Sequence, residues 1–262
     1  VTDELDGGQC EVRARNVINA TGVWAGTLDP HVELTPSRGT HLVLPAAALG
    51  RPRASLTVPV PGHFGRFVFT IPQFDDLVYV GLTDVPAPGP IPEVPTPDAE
   101  EIDWILDVFN RSLSKAITRD DVIGTFAGLR PLAADPGSSD STADISRHHL
   151  ITGGPGEVIT VTGGKLTTYR RMAQDAVDKI SDVECQTHRI ALVGAGTPPA
   201  HPAIPHRLVR RFGSEASLIA GLADHDASLL QPMSPQSHSR VLGVEVLWAQ
   251  QAEGALDIED VV

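Results

Sequence analysis

Four side chains in this 262-residue sequence have types suited to chemistry on an anion: His41, Arg130, Arg147 and Lys165. They stand in SRGTHLVLP, AGLRPLAAD, DISRHHLI and TVTGGKLTTYRRMAQDAVDKI, the last spanning residues 160–180. Guanidinium forks match phosphate and carboxylate oxygens two at a time. Histidine exchanges a proton near neutral pH without perturbation. Two arginines, a histidine and a lysine in low-polarity settings suit a phosphate or carboxylate clamp. Each has a plainer reading alone. An arginine beside apolar residues snorkels or pairs with a carboxylate, and a lone strand histidine is more often structural. Spacing does not show that the four converge.

Lys165 follows Gly163 and Gly164 between a β-branched run and a helical pattern. Glycine lets a backbone approach a flat or charged ligand. A helix N-terminus adds unpaired N–H groups and partial positive charge, and Thr167 or Thr168 can cap one of them. The turn therefore predicts an electron-rich ligand, with an ordinary strand-to-helix turn as the alternative. It matches neither GxxxxGK[ST] nor GxGxxG, and the GAG at 194–196 runs into Thr-Pro-Pro, which does not open a helix as the dinucleotide fingerprint requires.

The elements that must position these groups are legible in outline. CEVRARNVINATG predicts a strand ending at Gly22, and VWAGTL a short helical start. THLVLP, RFVFTIP and DLVYVGLTD are β-rich runs without long helices between them, which predicts antiparallel pairing. The proline-dense PAPGPIPEVPTP predicts an extended connector. Next comes a helix capped by Asp98 or Thr96, with Ile102, Ile105, Leu106, Phe109 and Leu113 on one face. GSSDSTAD predicts a polar loop, HHLIT and EVITVTG two more strands, and Thr168 to Ile180 a helix with Met172, Ala176 and Ile180 on one stripe. From about residue 204 onward the patterns are helical.

Composition bounds the function. The chain has 33 acidic and 20 Lys or Arg residues, a net charge of −13, which disfavours a nucleic-acid partner but not a small anion in a local cationic pocket. Two cysteines make neither a disulfide framework nor a metal pair, and the ten histidines form no convincing metal set, so no metal is expected. A reducing cytoplasm is the default compartment. No run of 18 apolar residues occurs, and VTDELDGGQC is no signal peptide. Val1 is not an initiator Met, so a start further upstream is expected.

INATGVWA, PSRGTHLVLP, VGLTD, AGLRPLAAD, SRHHLI and TVTGGKLTTYRRMAQDAVD occur in this order in FAD-dependent glycerol-3-phosphate dehydrogenases. The sequence resembles that family over nearly its whole length. The tail, with RRFG and EVLWAQQAEGALDIEDVV, is similar to the family's helical C-terminal domain. GGKLTTYR beside GLRPL separates the resemblance from most flavoprotein amine oxidases of the same fold. The family's N-terminal GxGxxG turn and first FAD-domain elements are absent, and the chain stops early, so the resemblance implies a C-terminal portion.

The implied fold is α+β or α/β. Residues 1–30 would be a remnant of a Rossmann-like FAD-binding domain and 31–125 an inserted antiparallel-sheet substrate domain. Residues 126–195 would return to the FAD domain, and 196–262 would form a small, truncated α-helical domain. Gly22, Trp24, Gly163, Gly164, Lys165, Leu166 and Thr167 would meet FAD, with the helix N-terminus near N1 and the C2 carbonyl of the isoalloxazine. His41, Arg130, Arg147 and Lys165 would surround sn-glycerol 3-phosphate, which is oxidised to dihydroxyacetone phosphate with hydride passing to flavin N5.

Arginine cannot act as the base near neutral pH. His41 is therefore the first choice for that role and Lys165, if desolvated, the second; Arg130 and Arg147 fit the phosphate, and Arg130 can also polarise the developing alkoxide. The resemblance implies a respiratory quinone as electron acceptor and a cytoplasmic location, and leaves open a membrane surface at its inner face and a homodimer. His206, Arg207, Arg210 and Arg211 are a candidate basic patch for such a surface, or a solvated helix face. Two alternatives stand beside this reading: another FAD-dependent oxidase of the same fold, and a non-catalytic fragment unable to hold FAD, colourless and inactive in isolation.

Overall fold

A computed structural model describes residues 1–3, 5–133, 148–154, 156–199, 201–234, 240–257, 260 and 261. Two compact units are present. One comprises residues 1–72 and 77–188, the other residues 73–76 and 189–262.

The first unit contains two sheets. Its larger sheet is organised on β2 (Leu34–Pro45), whose residues alternate between two faces as a strand must. Leu42 and Leu44 are fully buried and face the core; Ser37, Gly39, His41 and Val43 face the other way. β3 (Thr57–Pro59), β4 (Phe67–Pro72) and β5 (Leu77–Gly81) continue from one edge of β2 in the order β3-β4-β5-β2, all antiparallel. β6 (Val85–Pro86) pairs with Ser37 and Arg38. β7 (Gly124–Ala133) pairs with β2 along ten positions, from Leu34↔Ala133 to Val43↔Gly124.

The core face is covered by a helix, Ala99–Asn110, with Ile105 and Phe109 fully buried against Leu42, Leu44, Val68, Val78 and Val80. Each such side chain contributes roughly 1.5–3 kcal/mol by leaving water. Asp98, one of the two residues expected to cap this helix, does so reciprocally with Glu101, and its apolar face is the one expected from the spacing.

The smaller sheet has the order β1-β9-β8, with β1 (Val17–Asn19) parallel and β8 (His149–Thr152) antiparallel to β9 (Val158–Gly163). A 3₁₀ turn (Gly22–Trp24) and the short α1 (Ala25–Leu28) follow β1. In chain order the core helix is α2, and α3 (Tyr169–Val177) follows β9. The expected strand from Cys10 is confined to Val17–Asn19, because only those residues find partners, Val158 to Thr160. Val12 is 67% exposed. The expected polar loop at 137–144 lies outside the described residues.

The second unit is helical: α4 (His206–Phe212), α5 (Ala216–Ala220) and α6 (Gly243–Trp248) enclose Leu208, Ala216, Ile219, Leu242 and Val244. The expected basic patch is largely engaged within this unit. Arg207 pairs with Asp75 and with Glu245 at 2.6 Å, Arg211 lies 3.3 Å from Glu245, and Arg210 covers the Phe74 ring at 4.2 Å. Internal partners neutralise Arg207 and Arg211, since Glu245 is buried and needs counter-charge. Among the described residues no helix is long and apolar enough to cross a membrane.

Candidate active site

The register of β2 brings two of the four candidates together. Ser37 is opposite Arg130, Gly39 opposite Gly128 and His41 opposite Phe126. Directly opposed residues share a face, so His41 and Arg130 both stand on the face turned away from the core. Their register positions on β2, 41↔126 and 37↔130, are four residues apart, about 13 Å at the strand rise of ~3.3 Å per residue. The long arginine side chain shortens that gap by folding back over Gly39. A Cβ on Gly39 would lie 2.8 Å from Arg130 Cζ, so only glycine leaves the guanidinium its place.

Gly81 does the same for His41. It is the cross-strand neighbour of His41 on β5, and a Cβ there would fall 2.9 Å from His41 Cγ. On the other side the imidazole stacks on Phe126, centroids 4.9 Å apart and planes 8° from parallel, with Tyr79 edge-on to Phe126 at 5.1 Å. Burial between these groups, then the charge of Arg130, lowers the His41 pKa below its ordinary 6.5. The imidazole is thus neutral at pH 7 and able to take a proton. Its Nδ1 is buried and has no hydrogen-bond partner among the described residues.

Arg130 makes several polar contacts on this face. Its Nη2 donates to the Thr83 carbonyl at 3.2 Å, its Nη1 to Ser37 Oγ at 3.4 Å, and Asp84 lies 3.6 Å away. The Ser37 hydroxyl also donates to Asp84. The Thr83 hydroxyl accepts from the Thr40 N–H (2.9 Å) and donates to Glu101 (2.6 Å), whose other oxygen pairs with Arg38 Nε at 2.7 Å. Asp98 also binds Arg38. The strand carrying His41 is in this way tied to the first turn of α2. Sequence reasoning missed Ser37, Gly39, Gly81, Thr83, Asp84 and Phe126, although PSRGTH, VGLTD and the run before GLRPL contain all six.

The remaining candidates lie at the smaller sheet. Gly163 and Gly164 have φ of 68° and 79°, and Lys165, Leu166 and Thr167 follow at the exposed entry to α3. A 3₁₀ turn, Leu166–Thr168, precedes the helix proper. The Thr168 hydroxyl accepts from the Lys165 N–H (3.3 Å) and donates to its carbonyl (2.9 Å).

The two glycines have an internal cause. A Cβ on Gly163 would meet the His148 carbonyl at 2.8 Å, and one on Gly164 the Met172 sulfur at 2.6 Å. Their bareness is explained by strand and helix packing before any ligand is invoked. Lys165 is exposed, contrary to the low-polarity setting expected, and has no ion pair among the described residues. Trp24 is 43% exposed and no core aromatic. Gly22, at φ 61°, opens on free space. β7 packs beside both β9 and the Gly22–Trp24 turn, so the two clusters belong to one unit. Arg147 lies outside the described residues. Those residues contain no group of His, Cys, Asp or Glu suited to a metal ion.

Four similarities bear on this arrangement. The chain is 42% identical over 279 residues to glycerol-3-phosphate dehydrogenase 1 of Mycobacterium tuberculosis (strain ATCC 25618 / H37Rv), all of this chain against 53% of the relative. It is 31% identical over 288 residues to glycerol-3-phosphate dehydrogenase 2 of the same organism, covering 48% of it. It spans about half the length of the relatives it matches. The crystal structure of the glycerol-3-phosphate dehydrogenase from Bacillus halodurans complexed with FAD superposes with a TM-score of 0.71 at 24% identity, over 97% of this chain and 53% of that one, and shares the fold. Residues 1–170 match the family described as FAD dependent oxidoreductase (DAO). Its sequence, its sheets and that match make this chain a member of the FAD dependent oxidoreductase family.

Proposed function

We propose that the protein containing this chain oxidises sn-glycerol 3-phosphate to dihydroxyacetone phosphate, with FAD as the electron acceptor. The observation that carries the reading is the pairing of a neutral, partly buried His41 with Arg130 on one sheet face, each seated on a glycine. A proton acceptor and an anion anchor are the two groups that a phosphorylated secondary alcohol requires. The names of the relatives support the substrate.

The residues present fit the ring end of FAD. The open turn at Gly22, the exposed Trp24 and the N-terminal turn of α3 with Lys165 offer a flat contact, free N–H groups and positive charge. FAD, when bound, supplies the two-electron chemistry. The chain's own residues bind and move a proton. Arg130 holds the phosphate as a fork. His41 takes the C2 hydroxyl proton on a ring nitrogen, and Phe126 and Gly81 keep the ring in place and partly dry. Lys165, at an exposed helix entry, fits charge stabilisation near the ring better than the role of base. Arg147 is assigned to the phosphate on the resemblance alone. Hydride transfer to N5, a quinone acceptor, a cytoplasmic site at the inner membrane face and a homodimer belong to the same proposal on that footing.

The test is substrate-dependent reduction. Anaerobic addition of glycerol 3-phosphate to the FAD-loaded protein should bleach the flavin band, and glycerol should not. Equal bleaching by glycerol would overturn the phosphate anchor, and no bleaching by either would overturn the activity.

A further inference from the structure

We infer that Arg66 is a second guanidinium for the anionic end of the substrate, sharing one cavity with Arg130. The assignment deepens the glycerol 3-phosphate reading and rests on it for the identity of the ligand, but not for the chemistry of the site.

Arg66 closes the turn between β3 and β4. Its backbone is fixed there: its carbonyl accepts from the Val60 N–H at 2.9 Å and its N–H donates to His63 at 3.4 Å. Its side chain lines a cavity of about 330 Å³ together with Arg130, Thr57, Phe69, Thr83 and Asp84. That is near the lower end for small-molecule sites, about 300–1,000 Å³. Phe69 is the cross-strand partner of Gly81, on which the His41 ring rests, and Leu82 also lines the cavity.

Arg66 is half-buried and has no ion pair or side-chain hydrogen bond among the described residues. The other half-buried arginines there are engaged: Arg38 by Asp98 and Glu101, Arg170 by Gln174 and Thr187, Arg207 by Asp75 and Glu245. Among the described residues Asp84 is the carboxylate lining this cavity; it accepts from the Ser37 hydroxyl and lies 3.6 Å from Arg130. Arg66 also lines the adjoining cavity with Asp98, Glu100 and Glu101, but Asp98 and Glu101 are taken by Arg38 and Glu100 is exposed. A partly desolvated cation without a counter-charge is costly unless an anion completes it, and two forks suit the oxygens of one phosphate. Thr57 and Thr83 add hydroxyls, and Phe69 an apolar wall.

Isothermal titration of the full chain with inorganic phosphate, glycerol 3-phosphate and glycerol tests the assignment. Arg66→Gln should weaken phosphate and glycerol 3-phosphate at least ten-fold and leave glycerol unchanged; Arg66→Lys, which keeps charge without the fork, should fall between. Should Arg66→Gln fail to fold, phosphate should still protect Arg66 of the unmodified chain from phenylglyoxal, read by mass spectrometry. Absence of phosphate binding, equal binding by Arg66→Gln, or no protection would each overturn the proposal. Arg66-dependent phosphate binding with glycerol 3-phosphate no tighter than phosphate would keep Arg66 and remove the substrate reading. Tight glycerol 3-phosphate binding indifferent to Arg66→Gln would do the reverse.

Discussion

The His41 imidazole lies flat on the Phe126 ring, 4.9 Å between centroids, on a face where Arg130 is the nearest influential charge. Stacking removes water from one side of the imidazole and Gly81 brings the backbone up to the other. Both effects disfavour imidazolium, as does a neighbouring guanidinium. The site thus combines an anion anchor with a base that the anchor itself helps to keep unprotonated.

His41→Ala should lower kcat for glycerol 3-phosphate by about 10²-fold or more, the usual range of general acid–base contributions. KM should change only a few-fold. Steady-state kinetics of the FAD-loaded protein check this, and a mainly raised KM would assign His41 to binding instead.

The His41 ring proton should titrate below 6.5 by NMR, and Phe126→Ala should move the midpoint upward, since burial is the larger cause of the depression. The sign for stability follows. The unfolded chain protonates this histidine near 6.5, the folded one only at lower pH. Below 6.5 the unfolded state binds more protons, so His41 makes the fold less stable as pH falls from there through the folded value. His41→Asn should flatten that part of a Tm-against-pH curve, and an unchanged slope would contradict the burial.

Gly81→Ala and Gly39→Ala should each cost about 1–3 kcal/mol, the range for overpacking a fitted site. They should differ in kind. Gly81→Ala displaces the imidazole and should mainly lower kcat. Gly39→Ala displaces the Arg130 guanidinium and should mainly raise KM for the phosphorylated substrate. Chemical denaturation and kinetics on both variants separate the two.

Glu101→Ala leaves Arg38 with Asp98 alone and the Thr83 hydroxyl without its acceptor. A loss of roughly 3 kcal/mol is expected, the lower figure for breaking a buried pair, because one partner remains. Lys165→Met, by contrast, should change stability by less than about 0.5 kcal/mol, as for an exposed side chain, while slowing substrate oxidation about ten-fold. Thermal melts of the two variants side by side would show the contrast.

Patterns of residue type and spacing made the β-rich run at 40–45, the apolar face of α2 with Asp98 or Thr96 as its cap, and the bare turn before α3 readable from the chain alone, because each follows from local geometry and neighbours in sequence. Residue types likewise marked His41 and Arg130. Three things depended on contacts made only in the folded chain. The strand near Val17 is short because only β9 meets it. Gly163 and Gly164 are bare on account of His148 and Met172. Arg130 stands near His41 because β7 pairs with β2 in a register that sets Gly39 beneath the guanidinium. The pairings of β1 with β9 and of β2 with β7 join chain segments 80 or more residues apart, and no short window of sequence contains both sides of such a contact.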